Sequence, residues 1–101
     1  MSNPVARKSA IAPGHMMRVD VEGVPVLLVH CDGEIYAVED VCTHDGGELD
    51  GGELDGCRIM CPRHGAFFDV KTGKALTLPA VSPLPTFPVT IDGDDISVDV
   101  D

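Results

Sequence analysis

Between residues 16 and 39 the chain reads MMRVDVEGVPVLLVHCDGEIYAVE, in which short β-branched and aliphatic runs are cut by Glu22-Gly23 and Asp32-Gly33. Acidic-glycine pairs of this kind are suited to the centres of tight hairpin turns. The pattern predicts strands near residues 16–22, 25–30 and 34–38. A further short strand is expected over residues 5–10, with Pro13-Gly14 turning the chain after it. After residue 70 the same texture returns. Thr72-Gly73-Lys74 has the composition of a hairpin tip, and TFPVTI and DISVDV read as two strands around Asp92-Gly93-Asp94. Pro79, Pro83, Pro85 and Pro88 make the intervening segment stiff and poor in N–H donors. No stretch carries a convincing helical period. The expected class is all-β, an antiparallel β-sandwich or small barrel with residues 41–70 inserted as loops.

Composition narrows the partners more than the fold. The 101 residues suit one small domain, and 11 Gly with 8 Pro favour tight turns over long helices. A formal charge of −10, from 7 basic and 17 acidic side chains, argues against nucleic acid or an anionic membrane and for a basic protein surface. The N-terminal stretch MSNPVARKSAIAPGHMM lacks the apolar run of a signal peptide, and no segment approaches the roughly 18 apolar residues of a membrane span. A cytoplasmic location is therefore expected. In that compartment four cysteines point to metal binding or free thiols rather than to disulfides.

The inserted segment, VCTHDGGELDGGELDGCRIMCPRHGAFFDV, holds two Cys-His couples, Cys42-Thr43-His44 and Cys61-Pro62-Arg63-His64. The GGELD repeat between them is too short for a solenoid. It reads as two similar turns, with Leu49 and Leu54 each able to anchor a turn into the core; the alternative, compatible with this, is an acidic docking rim. Thiolates and imidazoles ligate zinc, copper and iron–sulfur clusters. Zinc modules usually pair two closely spaced cysteines, whereas here each half supplies one Cys and one His. Mixed halves on two loops suit a two-iron cluster, with both cysteines on one iron and both histidines on the other. A structural zinc site on the same four residues and a Cys42–Cys61 disulfide are the competing readings. His15 and His30 sit in no ligand spacing. Cys31 precedes a turn and Cys57 is in phase with Ile59 and Cys61, so both read as small apolar fillers.

Cys-x-His followed by Cys-Pro-x-His-Gly resembles the signature of the Rieske ferredoxin family. The flanks GEIYAVEDVCTH, CPRHGAFFDVKTGKAL and LPAVSPLPTFPVTIDGDDISV extend the likeness over nearly the whole chain, most sharply from Cys42 to Gly73. The resemblance implies a single Rieske domain over residues 1–101: an antiparallel β-sandwich base, about 1–40 and 71–101, with a two-loop cluster-binding subdomain, about 41–70. It implies one [2Fe–2S] cluster, with Cys42 and Cys61 on the inner iron and His44 and His64 on the outer. Residues 79–80 would belong to a third, proline-containing loop over the cluster. Gly46, Gly47 and Gly65 would allow backbone N–H groups to face the cluster sulfurs.

High-potential relatives in respiratory complexes carry a disulfide between the two cluster loops, and its positions here are Gly47 and Arg63. Their cluster-facing Ser and Tyr hydroxyls are replaced by Ala66 and Phe68. A soluble low-potential carrier is thus implied, without substrate chemistry of its own. Its expected place is between a flavin-dependent ferredoxin reductase and the terminal oxygenase of a ring-hydroxylating dioxygenase. The alternatives are the small Rieske subunit of an assimilatory nitrite reductase, serving its large subunit, and an iron–sulfur redox-sensing or interaction module.

Overall fold

The computed structural model describes residues 4–41, 49, 51–62, 65–77 and 83–100. Among the described residues ten strands lie in three antiparallel sheets: β1 (Pro4–Arg7), β2 (Met16–Val21), β3 (Val24–Cys31), β4 (Glu34–Glu39), β5 (Leu54–Asp55), β6 (Arg58–Met60), β7 (Phe67–Asp69), β8 (Thr86–Phe87), β9 (Val89–Asp92) and β10 (Asp95–Val98). The central sheet has the order β2-β3-β4-β8, one flanking sheet β1-β10-β9, and a small sheet β5-β6-β7. Both turns predicted in the central sheet form. Glu22 and Gly23 take φ of 51° and 81°, Asp32 and Gly33 take 55° and 77°, and the strands pair in register on either side.

The apolar run of β3 explains the layering. Side chains alternate across a strand. Val26 and Leu28 enter one cluster with Ile35, Ala37, Ile96 and Val98, on the side of the β1-β10-β9 sheet. Leu27, Val29 and Cys31 enter a second cluster with Ile59, Cys61, Phe68 and Val70 of the small-sheet region. Leu27, Leu28, Val26 and Val29 are all fully buried. Each such side chain contributes roughly 1.5–3 kcal/mol through removal from water.

Four expectations need correction. The strand expected over residues 5–10 ends at Arg7 and continues as a 3₁₀ turn, Lys8–Ala10. Its partner β10 starts at Asp95, and beyond that register Asp94 captures the chain instead. Asp94 O accepts from Lys8 N, and the Asp94 carboxylate accepts from the Ser9 backbone N–H and hydroxyl. The Ser9 bonds hold the Asp94 carboxyl below its ordinary pKa. Second, TFPVTI is two strands, not one. Pro88 has no N–H to donate; before it β8 pairs with β4, and after it β9 pairs with β10. Third, residues 41–70 are more than loops, since they carry the three strands of the small sheet.

The fourth concerns the cysteines. Cys31 and Cys57 are joined by a disulfide, their Cα atoms 5.5 Å apart and their positions 26 residues apart. They are neither free thiols nor fillers. The bond links the end of β3 to the β5–β6 turn, and closure of a loop of this size restricts the unfolded chain by about 3.5 kcal/mol. The Lys71–Asp32 ion pair (2.9 Å) spans the same seam. It draws the Asp32 carboxyl below and the Lys71 ammonium above their ordinary pKa values.

Gly73 is where the predicted Thr72-Gly73-Lys74 turn meets the chain returning from the proline-rich segment. Its carbonyl accepts from Leu84 N at 2.6 Å, its φ is +80°, and a Cβ there would stand 2.2 Å from Leu84 O. Gly93 also has positive φ, +64°, but opens onto free space. Gly73→Ala is therefore expected to cost at least about 3 kcal/mol, against about 1 kcal/mol for Gly93→Ala. Urea unfolding of the two variants measures this, and equal losses would remove the close-approach argument.

Candidate metal centre

Of the four predicted ligands, Cys61 lies among the described residues; Cys42, His44 and His64 lie outside them. Cys61 follows directly on β6, is fully buried, and has a free thiol. Its backbone closes the base of the segment that holds the second couple. Cys61 N donates to Ala66 O at 2.7 Å, and Gly65 N donates to Cys61 O at 2.9 Å. Gly65 has φ of +71°, a value that favours glycine. Its own N–H is spent on loop closure, and the positive φ lets the chain turn tightly there. Gly46 and Gly47, named with it above, lie outside the described residues.

The segment with the first couple is fastened at both ends by a buried carboxylate. Asp40 follows β4 with its side chain fully buried. Its Oδ1 accepts from Leu49 N at 2.8 Å, and its Oδ2 lies 3.4 Å from Arg18 Nε. Leu49 is itself fully buried, which bears out its role as an anchor. Beyond it, Gly52 N donates to Leu49 O, and a Cβ on Gly52 would stand 2.0 Å from Met60 O. This close approach holds the end of the first segment against the residue before Cys61. Leu54 is half-buried in β5 and packs on the same cluster. How far the two GGELD halves resemble each other falls outside the described residues.

A third segment is fastened to the same region. Thr77 Oγ1 accepts from Phe67 N at 2.8 Å, Leu84 N donates to Gly73 O, and Glu39 N donates to Pro85 O at 2.9 Å. Cys61, Leu49, Ala66 and Leu84 share one apolar cluster. The roots of three segments, two carrying the candidate ligands and one the proline-rich stretch, thus converge around one buried thiol. That setting fits a thiolate ligand: a shell of apolar side chains limits solvent access to a metal group. Ala66 and Phe68, which carry no hydroxyl, are both fully buried in this shell.

The remaining residues sort by their contacts. His30 is buried, with Nδ1 2.7 Å from Ile11 O, and His15 is exposed on the neighbouring turn. The His30 ring thus ties β3 to the segment before β2. Among the acids of residues 39–55, Asp40 is internal and Asp55 is paired with Arg58. The Arg58 guanidinium also stacks 5.3 Å from the centre of the Phe67 ring. The docking rim imagined from the sequence is therefore smaller than its count of acids. Asp40 was missed as a positioning residue; its only sequence signal is its place two residues before Cys42.

Removing the Asp40 carboxylate leaves a buried N–H without its acceptor. Asp40→Ala is expected to lower stability by about 2 kcal/mol and Asp40→Asn, which keeps an acceptor oxygen, by about half that. Denaturant titration of both variants measures the order, and an Ala variant as stable as the parent would discount the clamp.

The Rieske [2Fe–2S] domain model matches residues 1–88. The chain is 42% identical over 91 residues to the ferredoxin component of biphenyl 2,3-dioxygenase from Rhodococcus jostii (strain RHA1), covering 90% of this chain and 85% of that protein. The ferredoxin of carbazole 1,9a-dioxygenase from Nocardioides aromaticivorans IC177 superposes with a TM-score of 0.92 at 34% identity, covering 97% of this chain and 96% of the other. A ferredoxin solved in complex with the oxygenase of carbazole 1,9a-dioxygenase gives 0.89 at 36% identity, with 95% and 90% covered. With most of its length matched by the domain model, and with its sheets and loop roots arranged as described, the chain belongs to the Rieske [2Fe–2S] domain family.

Proposed function

We propose that this protein is the ferredoxin of a ring-hydroxylating dioxygenase system, taking single electrons from a flavin-dependent reductase and delivering them to a terminal oxygenase. Cys42 and Cys61 would be the thiolate ligands and His44 and His64 the imidazole ligands. Residues 41–70 would form the cluster-binding subdomain, on a base of residues 1–40 and 71–101. The observation that carries the site is the convergence of three segment roots on the free, buried Cys61. The relatives named as ferredoxin components favour the dioxygenase system over the nitrite reductase alternative.

When bound, the cluster supplies one-electron redox chemistry, and two neutral imidazoles in place of two thiolates make it easier to reduce than a four-cysteine cluster. The chain's own residues do the rest. Asp40 and Leu49 fix the first segment, Cys61, Gly65 and Ala66 the second, and the surrounding apolar side chains keep water from the thiol side. The complex of oxygenase and ferredoxin among the relatives supports direct docking on an oxygenase. The net charge of −10 supports a basic face on the partner.

Cys61→Ser and Cys42→Ser are each expected to abolish the visible chromophore and most of the bound iron and acid-labile sulfide. Zinc in place of iron in the purified parent would overturn the assignment. Reconstitution with a dioxygenase reductase and oxygenase should restore ring hydroxylation only when this chain is present.

Docking by charge makes a separate prediction. Exposed charges are screened beyond about 10 Å at 0.1 M salt. Electron transfer to the oxygenase should therefore slow as salt rises, mainly through the association rate. Stopped-flow oxidation of the reduced carrier at several salt concentrations checks this, and a flat profile would leave the basic partner face without support.

A further inference from the structure

Cys31 and Cys57 lie outside the candidate ligand set, and their bond is a covalent cross-link, additional to the backbone, between the central sheet and the small-sheet region. Its position matters more than its existence. Cys57 and Cys61 bracket β6, so one end of this three-residue strand is held by the disulfide and the other continues into the buried thiol. Val70 N donates to Cys57 O at 2.9 Å, which ties the same point to the end of β7. The Lys71–Asp32 ion pair across the same seam is between exposed groups, and exposed ion pairs contribute little to stability. The two sulfurs also differ in access: Cys31 is only 3% exposed, whereas Cys57 is half-buried on a turn.

We propose that Cys31 and Cys57 form a reversible two-electron thiol–disulfide couple, separate from the one-electron centre, through which a low-molecular-weight thiol pool sets how firmly the Cys61-bearing strand is anchored to the base. The accessible Cys57 thiolate attacks the S–S bond of a small disulfide, forming a mixed disulfide and expelling one thiolate. The Cys31 thiolate then attacks the Cys57 sulfur, closing the internal bond and expelling the second thiolate. In sum two protein thiols lose two electrons and two protons, and one small disulfide becomes two thiols, so the exchange balances without another reactant. Oxidised, the couple covalently limits the excursions of β6 from the central sheet; reduced, only packing and polar contacts hold it. The couple does not require the function proposed above, although its effect is read partly on the chromophore.

The test uses the cluster-loaded protein, held without oxygen in buffers running from reduced to oxidised glutathione, then acid-quenched, alkylated and cut after Glu and Arg. Peptides 23–34 and 54–58 each hold one of the two cysteines and exclude Cys42 and Cys61. These peptides should be unlinked at the reducing end, linked at the oxidising end, and partly linked between, with the chromophore present throughout. Thermal loss of the chromophore should be about tenfold slower in the linked form. A variant with both Cys31→Ala and Cys57→Ala should bleach at one rate in all buffers; if it does not fold, the parent protein at the two ends of the series decides. Peptides never linked, peptides linked in every buffer, or equal bleaching rates of the linked and unlinked parent would each overturn the proposal. Linkage that follows the buffer in a protein without an iron chromophore would instead separate the failure of the metal assignment from the couple itself.

Discussion

Because β3 carries apolar side chains on both faces, a single covering layer cannot bury it. Val26 and Leu28 face one way, Leu27, Val29 and Cys31 the other, and all five are buried. One face is covered by the β1-β10-β9 sheet. The other needs a cover that the rest of the base does not supply, and the small sheet with its flanking segments fills that role. The segment that bears the candidate ligands therefore supplies part of the hydrophobic core, and folding of the base and assembly of the site draw on the same buried area.

That sharing explains why the polar clamps sit where they do. An apolar cover is non-directional, so it holds the small sheet down without setting where each segment leaves and re-enters. Directional bonds do that: Asp40 to Leu49, Cys61 to Gly65 and Ala66, Phe67 to Thr77, and Gly73 to Leu84. All lie at segment roots. Gly52 and Gly73 let backbones approach at those roots to distances that a Cβ would forbid.

How much of this was legible in the sequence depends on the range of the contact. The β2-β3-β4 meander was, because hairpins are set by turn dipeptides and alternation within a few residues. The Cys-His couples were also legible, since each pairs ligands two or three positions apart, although the placement of three of the four lies outside the described residues. The break at Pro88 was half-visible: the missing donor could be read, but not the change of sheet, which depends on where β4 and β10 stand. The Cys31–Cys57 bond was misread because the argument from compartment concerns the surroundings of the chain, not the distance between two sulfurs. Only the packing of the small sheet on β3 brings residues 26 positions apart to a Cα distance of 5.5 Å. Asp40 was misread for the same reason. In sequence it is one acid among seven between residues 39 and 55, and its burial follows from Leu49 and Arg18 meeting it from two sides.

The fate of the charges follows from this packing. The chain has 7 basic side chains against 17 acidic ones, so each cation engaged by an acid of the chain is one fewer to offset the remainder. Arg18 lies between Asp20 and Asp40, Arg58 pairs with Asp55, and Lys71 pairs with Asp32. The exposed pairs add little to stability. Their larger effect is on the field. A paired cation presents a near-neutral dipole to an approaching protein, whereas an unpaired one would offer a local foothold to an acidic surface. Pairing takes up charges of both signs and leaves the excess of −10 unchanged; what it removes is an exposed foothold for an acidic surface, a selection against like charge. Such selection acts within about a Debye length of contact, the range over which an encounter either tightens into a complex or separates.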